Sequence, residues 1–140
     1  MLNTIAIILI SPSLSWNWGG SSSQFYIKDS SSSLNKSVAQ IHLLKKQDKM
    51  LEIEGTFYNG SNNEINIFYK LIVAKSGQSS STSNQSGNFI VNSKERVILS
   101  KLTVNLNEND FYTIKLQVFE KNKTIAEDSA TFYGEKIIHE

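Results

Sequence analysis

The chain has 140 residues and a formal net charge of +1, from 14 Lys and Arg against 13 Asp and Glu. This length fits one domain with a single core, and the near-neutral charge argues against a nucleic-acid-binding protein. Cysteine is absent, which excludes disulfides, thiol redox chemistry, cysteine nucleophiles and thiolate metal sites. Hydrophobic residues make up 39% of the chain, so we expect a folded protein.

The first residues, 1–15, read MLNTIAIILISPSLS and have features of a secretory signal. The apolar run from Ile5 to Ile10 is too short to span a bilayer, and small residues and Pro12 follow it. No Lys or Arg precedes the run, so the signal is atypical or truncated. A plain apolar tail is the alternative. Residues 16–37 are dominated by Gly and Ser and predict a flexible leader.

Residues 38–133 alternate apolar and polar side chains with a period of two, the pattern of half-buried strands. The predicted inner faces comprise Leu51, Ile53 and Phe57; Ile65, Ile67, Tyr69, Leu71 and Val73; Ile98, Leu102, Val104 and Leu106; and Tyr112, Ile114, Leu116 and Val118. Turn sequences separate the strands, and no segment has a sustained helical period. We therefore predict an all-β protein, an immunoglobulin-like β-sandwich of about seven antiparallel strands without a disulfide. A tail follows at 134–140.

A polar stretch, GQSSSTSNQSGNF at 77–89, interrupts the apolar strands. A long disordered linker inside one sandwich is improbable on loop-length grounds. We predict a loop that leads into a short polar edge strand, because Ser and Thr side chains offer little to a foreign apolar strand. A plain solvated loop is the alternative.

Residues typical of catalysis are scarce. The two histidines are His42, inside the first predicted strand, and His139, near the end of the chain. The sequence has no zinc motif, phosphate-binding loop or nucleophile elbow, although a Ser-His-Asp triad stays open because its members are distant in sequence. We expect no enzyme activity, no catalytic residues, no metal site and no cofactor. A buried, perturbed carboxylate or histidine in a pocket would favour an enzyme instead.

One predicted surface suits binding. In an immunoglobulin-like sandwich the third and sixth strands are neighbours, and here these are 64–75 and 111–120. Their shared outer face, which we call the outer-face patch, comprises Phe68, Lys70, Ile72, Lys115, Gln117 and Phe119. Apolar contact and charge steering would let this surface hold an extended polypeptide weakly. In the alternative, the leader or a second layer covers these residues.

The region from Tyr69 to Ser129 has a composite pattern that resembles a known family. A Y-x-L-x-V strand and a Ser/Gly-rich loop lead to a Q-x-G-x-F element at Gln85, Gly87 and Phe89. An L-S-x-L-x-V-N-L strand and a Y-x-I-x-L-x-V strand follow. Over residues 38–133 this order resembles the curli assembly proteins of the CsgH family.

The resemblance implies a small periplasmic chaperone of the curli secretion system, which keeps the major curlin subunit from premature amyloid polymerisation by weak, transient binding. Members of the related CsgC group often carry a Cys-x-Cys pair. This chain has no cysteine, so a redox role based on that pair is not available to it. The family provides no catalytic residues and no motif that locates the client site. We expect a monomer with a curlin-type protein partner, no nucleic-acid partner and no stable membrane span. The alternative is a secreted or surface immunoglobulin-like adhesion or structural module.

Overall fold

The computed structural model describes residues 5–7 and 36–139. Most of the predicted signal at 1–15 and of the predicted leader at 16–37 lies outside the described residues. The strands are β1 (Ile5–Ile7), β2 (Val38–Lys45), β3 (Met50–Tyr58), β4 (Ile65–Ser76), β5 (Ser81–Val91), β6 (Arg96–Asn105), β7 (Phe111–Glu120) and β8 (Lys123–Tyr133), followed by the short helix α1 (Gly134–Ile138). No helix within the described ranges is long and apolar enough to cross a membrane.

The strands form two four-stranded sheets, with the orders β1-β2-β3-β6 and β5-β4-β7-β8. All neighbouring strands are antiparallel. The predicted third and sixth strands, β4 and β7, pair directly. The all-β sandwich of antiparallel strands predicted from the alternation is therefore confirmed.

The core lies between the two sheets and follows the predicted alternation. Inward side chains of β4 and β7 are buried, and so are those of β2 and β3. The largest fully buried side chains are Tyr112, Phe57, Ile41, Leu43, Leu51, Ile53, Ile67, Leu71, Ile114, Leu116, Ile137 and Val91. Burial of this apolar area is the main stabilising term in a domain without disulfides. Ile137 belongs to α1, so the helix adds to the core although no helical period predicted it.

A tyrosine fixes the connection between β6 and β7. Tyr112 is only 1% exposed, and its hydroxyl donates to the carbonyl of Asn105 at 3.1 Å and accepts the N–H of Asn107 at 2.9 Å. A tyrosine near the start of this strand whose hydroxyl hydrogen-bonds to the backbone a few residues upstream, the tyrosine corner, is a hallmark of immunoglobulin-like domains. Ile114, two residues later, occupies the position of the disulfide cysteine in antibody domains and is 0% exposed. Apolar packing thus takes the place of the disulfide.

The predicted face of one β6 residue is wrong. The alternation of the sequence places Ile98 on the inner face, but Ile98 is 53% exposed, whereas Leu99 is 5% exposed. Opposite Gly55 and Thr56, the register of β6 skips one residue, so Leu99 is the extra residue of a β-bulge. A bulge reverses the faces that alternate residues occupy, which the parity of the sequence does not reveal.

A buried amide joins the connections at one end of the sandwich. Asn59 is fully buried, and its side-chain N–H groups donate to the carbonyls of Asn63, Val91 and Asn92 at 2.9, 3.1 and 3.1 Å. Its side-chain oxygen accepts the N–H of Ser61 at 2.9 Å. The β3–β4 loop and the end of β5 are therefore held by one side chain.

Tyr112→Phe should lower the free energy of unfolding by roughly 1–3 kcal/mol, because the Asn105 carbonyl and the Asn107 N–H each lose a buried partner. Urea denaturation measures the change. Tyr133→Phe is the matched control, because Tyr133 is exposed and its hydroxyl should contribute little. Equal stability of the two variants would contradict a structural role for the corner.

Candidate functional site

The structure places all six residues of the outer-face patch on one surface. They lie on β4 and β7 and face away from the core. The register pairs Phe68 with Phe119, Lys70 with Gln117, and Ile72 with Lys115. The predicted arrangement of these side chains is therefore present, whereas their role in binding a client stays a prediction.

The apolar part of the patch is small. The rings of Phe68 and Phe119 lie 6.2 Å apart between centroids, at a tilt of 41°. Phe68 is 37% exposed, and Phe119 and Ile72 are half-buried. Tilted aromatic pairs of this kind are favourable in themselves, so the pair is a fixed feature of the surface rather than two loose side chains.

Two lysines give the patch its charge. Lys70 and Lys115 are both exposed and are diagonal neighbours on one face of the β4–β7 ladder, where residues lie about 7–8 Å apart. Neither forms an ion pair with any residue in the described part of the chain. The positive charge is therefore available to an incoming polypeptide, and salt should weaken its effect.

The face continues onto β5 with uncharged polar side chains. Asn88 lies opposite Phe68, Ser86 opposite Lys70, and Asn84 opposite Ile72. All three β5 residues are exposed. β5 is an edge strand of its sheet, so the predicted polar edge strand is present, and at 11 residues it is longer than expected.

An open groove of about 640 Å³ lies at one end of the patch. Phe68 and Phe119 line it together with Glu64 before β4 and with Glu120 and Lys121 at the β7–β8 turn. Aromatic rings flanked by both signs of charge can accept an apolar side chain of a polypeptide and orient its backbone or charged neighbours. The sequence did not predict the groove, because its walls combine residues of β4, β5 and β7 with the β7–β8 turn, which only the fold brings together.

The groups that could do chemistry lie elsewhere. His42 is on the other sheet, with its Nε2 3.3 Å from the hydroxyl oxygen of Thr56. His139 follows α1 and contacts Glu108 at 2.9 Å. Within residues 5–7 and 36–139, no group of three or more His, Asp and Glu could hold a metal ion.

A buried carboxylate orders the loop that begins β5. Oδ1 of Asp110 accepts the N–H of Gln78 at 3.1 Å, and Oδ2 lies 3.6 Å from Nζ of Lys75. Gly77 has φ of +146°, and a Cβ there would overlap Oδ1 of Asp110. Only glycine therefore fits this turn.

Gly77→Ala should destabilise the protein by about 1–3 kcal/mol, because the substitution combines an unfavourable φ with a clash against a buried carboxylate. Thermal unfolding measures the loss. Gly55→Ala is the control, since the nearest atom to its added Cβ is 3.4 Å away on the flexible Leu116 side chain. Similar losses in both variants would argue against the Asp110 contact as the cause.

The fold is similar to those of two solved structures. The E. coli curli protein CsgC superposes with a TM-score of 0.57 at 15% identity, over 67% of this chain and 97% of that protein. The solution structure of R. palustris CsgH superposes with a TM-score of 0.51 at 19% identity, over 72% of this chain and 95% of that protein. No family model and no curated protein matches the chain. The chain thus has a CsgC/CsgH-like fold.

Proposed function

We propose that this protein is a periplasmic curli-assembly chaperone that delays premature amyloid polymerisation of the major curlin subunit through weak, transient binding. The observation that carries the proposal is the CsgC/CsgH-like fold, since the E. coli neighbour is a curli protein. The composite motif around Gln85, Gly87 and Phe89 points in the same direction.

In this proposal the outer-face patch is the contact surface for the client. A curlin-type client is a chain rich in Gln, Asn and Ser that forms cross-β structure. Lys70 and Lys115 can steer acidic or strongly polar segments of the client to the sheet. Phe68, Phe119 and the adjoining groove can hold an apolar side chain once the segment has arrived.

The same geometry favours weak rather than permanent binding. The exposed apolar area of the patch is limited, because Phe119 and Ile72 are half-buried and Phe68 is exposed only in part. Small and partly polar interfaces are typical of transient complexes. A chaperone of this kind releases its client for export while it disfavours early oligomers.

The decisive test is the growth of amyloid by a purified major curlin subunit, followed by thioflavin fluorescence, with the 140-residue protein added far below equimolar amounts. We expect a longer lag phase. Unchanged kinetics in the presence of a protein shown to be folded would contradict the proposal and favour the adhesion or structural module.

Lys70→Glu/Lys115→Glu should remove most of the effect on the lag, because it reverses the charge that attracts the client. The control is Lys49→Glu/Lys136→Glu, which makes the same change in net charge at two exposed sites away from the patch. The lag is measured for both variants at low and high salt. Full inhibition by the patch variant would count against the patch, and equal losses in both variants would indicate a net-charge effect.

A further inference from the structure

The two sheets end in four edge strands, β1 and β6 in one and β5 and β8 in the other. An edge strand exposes unpaired backbone N–H and C=O groups, which can pair with another chain. Proteins block such edges with short strands, charged residues, prolines, bulges or inward charges. The four edges of this sandwich can be compared on these criteria.

Two of the edges carry evident protection. β1 is three residues long. β6 has the bulge at Leu99 and the exposed charges of Arg96 and Lys101. A foreign strand would meet either too few backbone groups or an interrupted ladder.

The edge at β8 is protected by an inward charge. The carboxylate of Asp128 is buried, and its Oδ2 accepts the N–H of Ile41 on β2 at 2.9 Å. β8 also has a register shift against β7, where Val118 and Phe119 pair with Ala126 and Thr124. Asp128 thus closes this side of the sandwich across both sheets.

β5 differs from the other three edges of the described fold. It is 11 residues long, and its sequence STSNQSGNFIV contains no charged residue and no proline. Its register with β4 is continuous, from Ser81 opposite Lys75 to Val91 opposite Ile65. A straight, uncharged and uninterrupted edge is one that another strand can extend.

We propose that the edge of β5 to which no strand of the described residues pairs docks an extended polypeptide segment rich in Asn, Gln and Ser, which adds to the sheet as a further strand. Backbone hydrogen bonds would supply the affinity of such strand addition. The exposed Asn84, Ser86 and Asn88 would pair laterally with amide and hydroxyl side chains of the segment, as in the Asn and Gln ladders of cross-β structure. Because β5 has no charged side chain, it offers no ion-pair partner to a highly charged segment. The identification of curlin as the source of this segment rests on the proposed function.

The position of the edge explains why capture need not seed a fibril. A captured strand would continue the outer face that carries Lys70 and Lys115. A fibril requires a second sheet packed dryly onto such a face, and two lysines resist that loss of water. The opposite face of β4 and β7 is buried in the core of the sandwich. The segment would therefore be held in a sheet whose two faces disfavour stacking of a second sheet.

The test uses the full-length, 15N-labelled protein and a synthetic uncharged peptide of Asn, Gln, Ser and Gly, 11 residues long to match β5. Amide hydrogen exchange is followed by NMR with and without the peptide. Protection should increase at alternate residues of β5, because successive N–H groups of a strand point to opposite sides. A peptide with proline at alternate positions should give no protection, because proline cannot donate to the ladder.

Ser83→Lys/Asn88→Lys should weaken peptide binding by about tenfold or more, because it places charges on the edge in the way that protected edges do. The matched control is Thr124→Lys/Thr131→Lys, which adds the same charge at exposed positions of β8 and should bind the peptide as the natural protein does. Circular dichroism establishes that both variants are folded. If the β5 variant unfolds, the comparison of the two peptides on the natural protein still decides the matter.

Three results would overturn the proposal: protection away from β5, equal protection by the proline peptide, or protection of β5 that rises with protein concentration without peptide. The last would show that β5 pairs with a second copy of the chain. A separate result would contradict the proposed chaperone function. Peptide capture at β5 with an unchanged curlin lag would contradict the proposed function and leave the edge site standing. A delayed lag that survives Ser83→Lys/Asn88→Lys would overturn the edge as the contact site of the curlin client and leave the chaperone function standing.

Discussion

The antiparallel pairing of β4 with β7 is the contact on which both the core and the candidate site depend. It runs over nine residue pairs, from Phe68 opposite Phe119 to Ser76 opposite Phe111. On the inner face of this ladder, Leu71 and other alternate residues are buried. The residues between them form the outer face, which carries the lysines and aromatic rings of the patch. A slip by one residue would exchange the two faces. Selection for a packed core therefore also fixes the geometry of the patch.

The sides of the sandwich are not equivalent. Where β2 approaches β8, Asp128 closes the gap with a buried hydrogen bond to the backbone of Ile41. Where β5 approaches β6, the hydroxyl of the buried Ser100 donates a hydrogen bond to the side-chain oxygen of the half-buried Gln85. A buried carboxylate is costly to desolvate unless it is bonded, so one side is committed to a closed arrangement. On the other side, β5 ends its sheet, and no strand of the described residues pairs with its outer backbone edge.

The sequence predicts the faces of β4 and β7 well, because continuous alternation is a local property that burial on one side enforces. It predicts Ile98 wrongly, since a bulge depends on the partner strand and not on parity. It also leaves 77–89 open between loop and strand, because Ser and Asn have low strand propensity and only the ladder with β4 settles the outcome. The groove next to Phe68 combines residues from three strands and a turn, and no local sequence pattern contains their mutual positions.

A protein that binds amyloid-forming chains meets two opposed requirements. It must offer backbone groups or apolar surface that an extended chain can use, yet it must not present a repeating, dry surface on which a fibril grows. In this sheet neighbouring strands would meet the two requirements separately. β5 offers an uncharged edge, while Lys70 on β4 and Lys115 on β7 keep the adjoining face wet. The Phe68–Phe119 pair adds apolar contact at one end only. The proposed binding without templating would follow from the order β5-β4-β7 in the sheet, because the edge and the charged face are separated by single strand widths of about 4.8 Å.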